Sequence, residues 1–205
     1  ANMTKYLKSF EILTLLIITI FGIIQGQVTV FYIIYLFWFQ ELIRTLVDLF
    51  HVVMHKKTAQ DKINVLRLSI ANFFLLFVYL VFIVVLFGFM LNWSDSERMG
   101  QNILVVIFRN WYFNLNILLF GLEYIYYRNQ TDNSNLELQP FNRRHIILHI
   151  SIILGAFMQM AIAPRLHIEG IWVSVITVTP FLLLKICIDK PMLYNHTQIL
   201  NKLRR

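Results

Sequence analysis

The second long apolar run of this 205-residue chain carries Glu41, Arg44, Asp48, His51 and His55, spaced 3, 4, 3 and 4 residues apart. At roughly 100° per residue these five share an arc of about 80°, one polar stripe along a helix. A later run carries Asn102, Arg109, Asn116 and Glu123 at intervals of seven residues, which drift by only about 20° per step around a helix. His145 and His149 stand four apart in the next run, and Ser174, Lys185 and Asp189 lie in the last. Ionisable groups inside apolar spans are expensive and face a bundle interior or a polar cavity, so each of them points to function or to a structural network.

Two chemistries suit these residues. Two H-x3-H pairs with nearby carboxylates match the ligand preferences of zinc, iron or copper, and helical bundles build metal sites from facing helices. Asp48, His51, His149 and Glu123 are the expected ligands of a divalent metal, zinc or iron, with His55 and His145 as further candidates. Lys185 and Asp189 are the catalytic candidates, orienting a ligand or a bound water. Such a site would serve an enzyme acting on a lipid or another membrane-soluble substrate. Neither histidine pair carries the glutamate of a H-E-x-x-H zinc hydrolase. The alternative is a proton or small-solute transporter that uses Glu41, Arg44, Asp48 and His51 as a relay, with Arg109 and Asn116 lining the polar interior. A third reading is a non-catalytic assembly subunit, in which the same charges form ion pairs that fix helix register. The blander role for His51 and His55 is interfacial, beside Lys56 and Lys57.

The elements that must position these groups follow from composition. Hydrophobic residues make up 58% of the chain and charged residues 14%, with a mean hydropathy of +0.65. A soluble domain is nearer half apolar and a quarter charged, and here the apolar residues come in long runs. The expected fold is an all-α polytopic membrane bundle, one integral domain of about six transmembrane helices at 10–26, 28–55, 64–92, 101–128, 144–162 and 170–189. Gly26-Gln27 predicts a tight hairpin between the first two, and Asn129 to Asn142 reads as a polar surface loop. Ala1 and Asn2, ahead of Met3, read as a leftover of expression, and the run after Lys5 and Lys8 as an uncleaved first span.

The net charge of +7 is not a nucleic-acid signature, because the basic residues gather at the ends of apolar runs rather than on a folded face. Lys5 and Lys8, then Lys56, Lys57 and Lys62, then Arg128, Arg143 and Arg144, then Lys190, Lys202, Arg204 and Arg205 all fall on one side of an even-span topology, which puts both termini in the cytoplasm. In that frame His51, Glu123, His149 and Lys185 lie about 7–9 Å inside their helix ends, one layer near the cytoplasmic face. Glu41, Arg44, Arg109 and Asn116 fall nearer mid-membrane. The single cysteine, Cys187, excludes an internal disulfide.

Three stretches carry a resemblance: Tyr35-Leu36-Phe37-Trp38-Phe39-Gln40-Glu41, Ile147-Leu148-His149 through Gly155, and Leu184-Lys185-Ile186-Cys187-Ile188-Asp189. They resemble a tyrosine-tryptophan-x-glutamate stretch, a histidine-containing segment before a small-residue pair, and a closing lysine-x-x-x-aspartate in an uncharacterised family of small bacterial and archaeal multi-pass membrane proteins, a domain of unknown function. Phe73 to Phe89 lacks the histidines that pattern has there, and Ala156 replaces its second glycine. The resemblance draws interest to Glu41, His149, Lys185 and Asp189 and implies a bacterial or archaeal cell membrane, but it implies no activity. The partners expected are the lipid bilayer and a lipid or small-molecule substrate, with no nucleic acid.

Overall fold

The computed structural model describes residues 2–55, 59–93, 95–130, 143–158, 160 and 171–189, with backbone alone for 2–12, 55, 59–62, 92, 130, 143–147, 171, 173–174 and 187–189. The described residues are all-α, as composition and periodicity predict. The helices are α1 (Asn2–Ile24), α2 (Val30–His55), α3 (Ala59–Phe82), α4 (Ser96–Val106), α5 (Trp111–Gln130), α6 (Arg143–Phe157) and α7 (Ile171–Asp189). Beyond Phe82, α3 widens into a π-helical stretch, Ile83–Phe89, and ends in a 3-10 turn, Met90–Asn92.

α2 is the central post. It packs against α3, α4, α5, α6 and α7, while α1 lies against α5 and α7. Its sequence is apolar on nearly every face of its upper half, and a helix that is hydrophobic all round belongs inside. Phe31, Tyr32, Tyr35, Phe37 and Trp38 are all buried, and Tyr35 stacks on Phe31, Trp38 and Phe113 of α5. The Trp38 Nε1–H donates to the Leu76 carbonyl of α3 at 2.7 Å. On the far side α6 comes so close that a Cβ on Gly155 would lie 2.6 Å from Ile34 Cδ1 and 2.9 Å from Phe87. Only glycine leaves that approach open.

Burial runs opposite to that of a soluble domain. Gln40, Glu41, Arg44, Asp48, Asn72, Asn116, Arg128 and Lys185 are buried, while Phe50, Phe74, Phe77, Phe82, Leu122, Ile153 and Leu183 are exposed. Apolar outside and charged inside is the arrangement lipid selects and water does not. Among the described residues, three stretches are long and apolar enough to cross a membrane, Val30–Met54, Ile63–Phe89 and Ser96–Asn129. Shorter apolar segments lie in α1, α6 and α7.

A turn is present at Gly26-Gln27, as predicted, and its geometry explains the residue choice. Gly26 adopts φ +68°, Gln27 N donates to Gly22 O and Gly26 N to Ile23 O, both at 2.9 Å. This is a Schellman ending, whose left-handed position favours glycine. Thr29 then caps α2, its Oγ1 accepting from Tyr32 N at 3.1 Å.

Within the expected span at 101–128 the helix is interrupted between Val106 and Trp111. α4 ends in a second Schellman turn, with Arg109 N donating to Leu104 O at 2.8 Å and Phe108 N to Val105 O at 3.1 Å. Here the left-handed position is Phe108, at φ +58°. A bulky residue at positive φ is strained and is held by its surroundings. The Phe108 ring packs edge-on against Phe39 and tilted against Phe113, and Asn114 Nδ2 donates to the Phe108 carbonyl at 2.7 Å. Asn110 restarts the helix as the cap of α5, accepting from Phe113 N at 3.0 Å and donating to Gln27 O at 3.1 Å.

Candidate functional site

The polar stripe of α2 lies inside the bundle along the seam with α5, which runs beside it in the same direction. Glu41 and Arg44 are one turn apart, and their side chains meet at 2.7 Å in a buried ion pair. The Arg44 guanidinium also lies over the rings of Phe120, at 4.9 Å, and Tyr124, at 5.8 Å. Guanidinium suits this position because it stacks on aromatic faces and is more weakly hydrated than ammonium. One turn further on, Asp48 Oδ1 lies 3.2 Å from Arg128 Nε and accepts a hydrogen bond from the Tyr124 hydroxyl at 3.0 Å. Asp48 is 5% exposed and Arg128 4%, so neither charge is solvated and each depends on the other. Taking two charges out of water is costly, and only close geometry offsets it.

Between α1, α2 and α5 a narrow crevice is lined by Thr14, Leu15, Gln40, Asn116, Leu119, Phe120 and Glu123. The Phe120 ring is the wall shared by this crevice and Arg44. Asn116 Nδ2 donates to the Tyr32 hydroxyl at 2.8 Å, which fixes the amide's orientation. Glu123 lines this crevice together with Thr14 of α1 and Gln40 of α2.

Several expected site residues stand elsewhere. His149 is exposed on α6, its ring 6.1 Å from that of Tyr79 on α3. His51 is half-buried on α2. Among the described residues no three His, Cys, Asp or Glu side chains come together as a metal cage. Asp48 pairs with Arg128, while Glu123 lines the crevice beside Thr14 and the His149 ring neighbours Tyr79 of α3. The expected set of Asp48, His51, His149 and Glu123 thus does not assemble around one point. His55, His145 and Asp189 belong to the described helices, but their side chains lie outside the described residues.

Arg109 also departs from expectation. It sits exposed at the break between α4 and α5, not in the polar interior. Asn102, on α4 rather than α5, spends its amide on backbone: Nδ2 donates to the Phe87 carbonyl at 3.2 Å, and Oδ1 accepts from Thr29 Oγ1 at 2.8 Å. A π-helical stretch leaves carbonyls short of regular partners, and a buried amide supplies one. Lys185 is buried on α7 with its Nζ 5.7 Å from the Phe37 ring centroid. Phe37 stands one turn before Glu41, so Lys185 belongs with the Glu41–Arg44 level and not with His51. Sequence reasoning missed Arg128 and Gln40. Arg128 was legible as the last member of the Asn116, Phe120, Tyr124 series at intervals of four, although it borders a polar loop.

A family model matches residues 2–203, nearly the whole chain. The chain belongs to the family of unknown function DUF6498. No curated protein and no solved structure matches it. The resemblance drawn from three short stretches thus extends across the full fold. DUF6498 membership brings no activity with it, so the chemistry of this DUF6498 chain rests on its own buried charges.

Proposed function

We propose that the chain is an integral protein of the cell membrane, six spans with both termini cytoplasmic, that moves a proton or a small polar solute along the interior of α2. The observation that carries this reading is the buried Glu41–Arg44 pair at 2.7 Å in the middle of α2, with Lys185 at the same level. About 11 residues separate Glu41 from the start of α2, or roughly 16 Å at 1.5 Å per residue, close to the centre of a hydrocarbon layer about 30 Å thick. A structural network has little need for charge at that depth, whereas a relay needs ionisable groups there. Asp48, Tyr124 and Arg128 continue the polar series towards the basic, cytoplasmic end, and Gln40, Asn116 and Glu123 widen it on the α1 side. The metal-dependent enzyme reading loses support, because its described ligands face different neighbours.

Flux through reconstituted liposomes tests this. Vesicles containing the wild type and an internal pH-sensitive dye are expected to dissipate an imposed pH step several-fold faster than protein-free vesicles. Glu41→Gln keeps a neutral acceptor for Arg44 but cannot cycle a proton, and is expected to lose most of that rate while retaining its helical circular dichroism. Wild-type vesicles as tight as empty ones, to protons and to small ions alike, would leave the seam as a device that fixes helix register.

A further inference from the structure

The corner where α4 meets α5 is unusual in length and in what it exposes. Ser96–Asn129 has 34 residues, about 51 Å as one helix at 1.5 Å per residue. The hydrocarbon layer is only about 30 Å thick, and α5 alone, with 20 residues, crosses it. α4 is left over. Asn110 of the corner donates to Gln27 O in the turn between α1 and α2, and Asn102 accepts from Thr29 at the start of α2. These bonds hold α4 at the end of the bundle where α2 begins, level with one membrane surface.

The exposed side of α4 changes character along its length. Ser96, Gly100, Ile103 and Ile107 share an arc of about 60°. Ser96 and Glu97 are exposed in the first turn, where Asp95 and Arg98 pair at 3.0 Å. Ile103, Leu104, Ile107 and Phe108 are exposed at the other end. Trp93 and Trp111, 78% and 70% exposed, flank the helix, and exposed tryptophan marks the level of lipid headgroups. A polar start and an apolar end suit a helix lying in the interface with its last turn dipped towards the acyl chains. Arg109 stands at that end, exposed between Phe108 and Trp111, and meets no carboxylate among the described residues. At this depth the complementary group is lipid phosphate, which a guanidinium grips with two parallel N–H donors. We infer that α4 is an interfacial helix and that Arg109 binds the phosphate of a phospholipid in that leaflet. The inference rests on the chain being embedded in a membrane, not on translocation.

The test is the depth of spin labels on single cysteines, with Cys187 replaced by serine, in phosphatidylcholine liposomes. Collisions with oxygen report acyl chains, and collisions with a nickel chelate report water. Labels at positions 103 and 107 are expected about 5–10 Å below the phosphates, deeper than position 97 and shallower than Leu118, which is exposed on α5. Arg109→Glu, repelled by phosphate, is expected to raise nickel accessibility at position 107 several-fold, while Arg109→Lys leaves it near the parent value. Positions 103 and 107 as nickel-accessible as position 97, or as deep as position 118, would overturn the interfacial helix. Unchanged depth in Arg109→Glu would overturn the phosphate contact. If that variant fails to fold, carbon–phosphorus recoupling by solid-state NMR decides: dephasing of guanidinium carbons by lipid phosphorus is expected to shrink in Arg109→Lys, and equal dephasing overturns the contact. A nickel-accessible position 118 would sink the membrane reading with it, whereas liposomes without proton flux would sink translocation and leave α4 in the interface.

Discussion

Asp48→Ala is expected to destabilise the folded bundle by about 3–5 kcal/mol, the range seen when one member of a buried ion pair is removed. The variant leaves the Arg128 guanidinium buried with its nearest counter-charge gone, and takes the acceptor from the Tyr124 hydroxyl. The cost comes from the stranded cation more than from the lost attraction. It follows that Asp48→Leu combined with Arg128→Met recovers most of the stability, because two apolar side chains of similar volume then fill the seam. Unfolding in detergent, followed by circular dichroism for the single and double variants, reads both effects. A single variant within about 1 kcal/mol of wild type, the value of a solvent-exposed pair, would mean that the Asp48–Arg128 contact is solvated and not interior.

The second large effect is expected at Asn102. Its side chain holds together three parts of the fold: the Thr29 cap of α2, the Phe87 carbonyl of the π-helical stretch, and α4 itself. Asn102→Leu is close in volume but has no polar atoms, so the bonds to the Phe87 carbonyl and from the threonine hydroxyl are both lost. At about 0.5–1.5 kcal/mol net for each hydrogen bond, the total is expected to reach about 1–3 kcal/mol. Thr29→Val, which removes one of these bonds and the Tyr32 cap, is expected to cost less. Comparing the two variants by unfolding midpoint checks the ranking. Thr29→Val more damaging than Asn102→Leu would place the weight on the helix cap and not on the carbonyl of the π turn.

The parts of this structure that were legible in the sequence are those set by periodicity. Glu41, Arg44 and Asp48 recur at helical spacing within apolar surroundings, and the same three residues face the interior along α5. Gly26 was legible because a left-handed turn favours glycine. Phe108 hid the break between α4 and α5 for the converse reason. It occupies the same turn geometry without a glycine or proline to signal it, and the residues holding it there, Phe39, Phe113 and Asn114, are distant in sequence or unremarkable in type. The widening of α3 into a π turn likewise leaves no mark in residues 83–89, since its compensation comes from Asn102 on another helix.

The candidate site was half legible for a related reason. Periodicity gives the face of a helix but not the neighbour it meets. The histidines of α2 and α6 share plausible spacing, yet α6 packs its His149 beside Tyr79 of α3. Depth estimates from helix ends also assume that helices start level. The contact of Lys185 with Phe37 shows that α7 is offset along α2, which raises Lys185 from the expected surface layer to the level of Glu41.

Translocation along α2 requires that water reach the polar seam at the middle of the bilayer. Cysteine accessibility measures this directly in a chain whose only native cysteine, Cys187, can be replaced by serine. Single cysteines at Gln40 and Asn116, inside the crevice, and at Phe74, on the exposed apolar face of α3, would be challenged in liposomes with a small, charged, membrane-impermeant thiol reagent. The prediction is modification at positions 40 and 116, with position 74 unreactive. If positions 40 and 116 are as inert as position 74, the seam is dry and the translocation reading is contradicted.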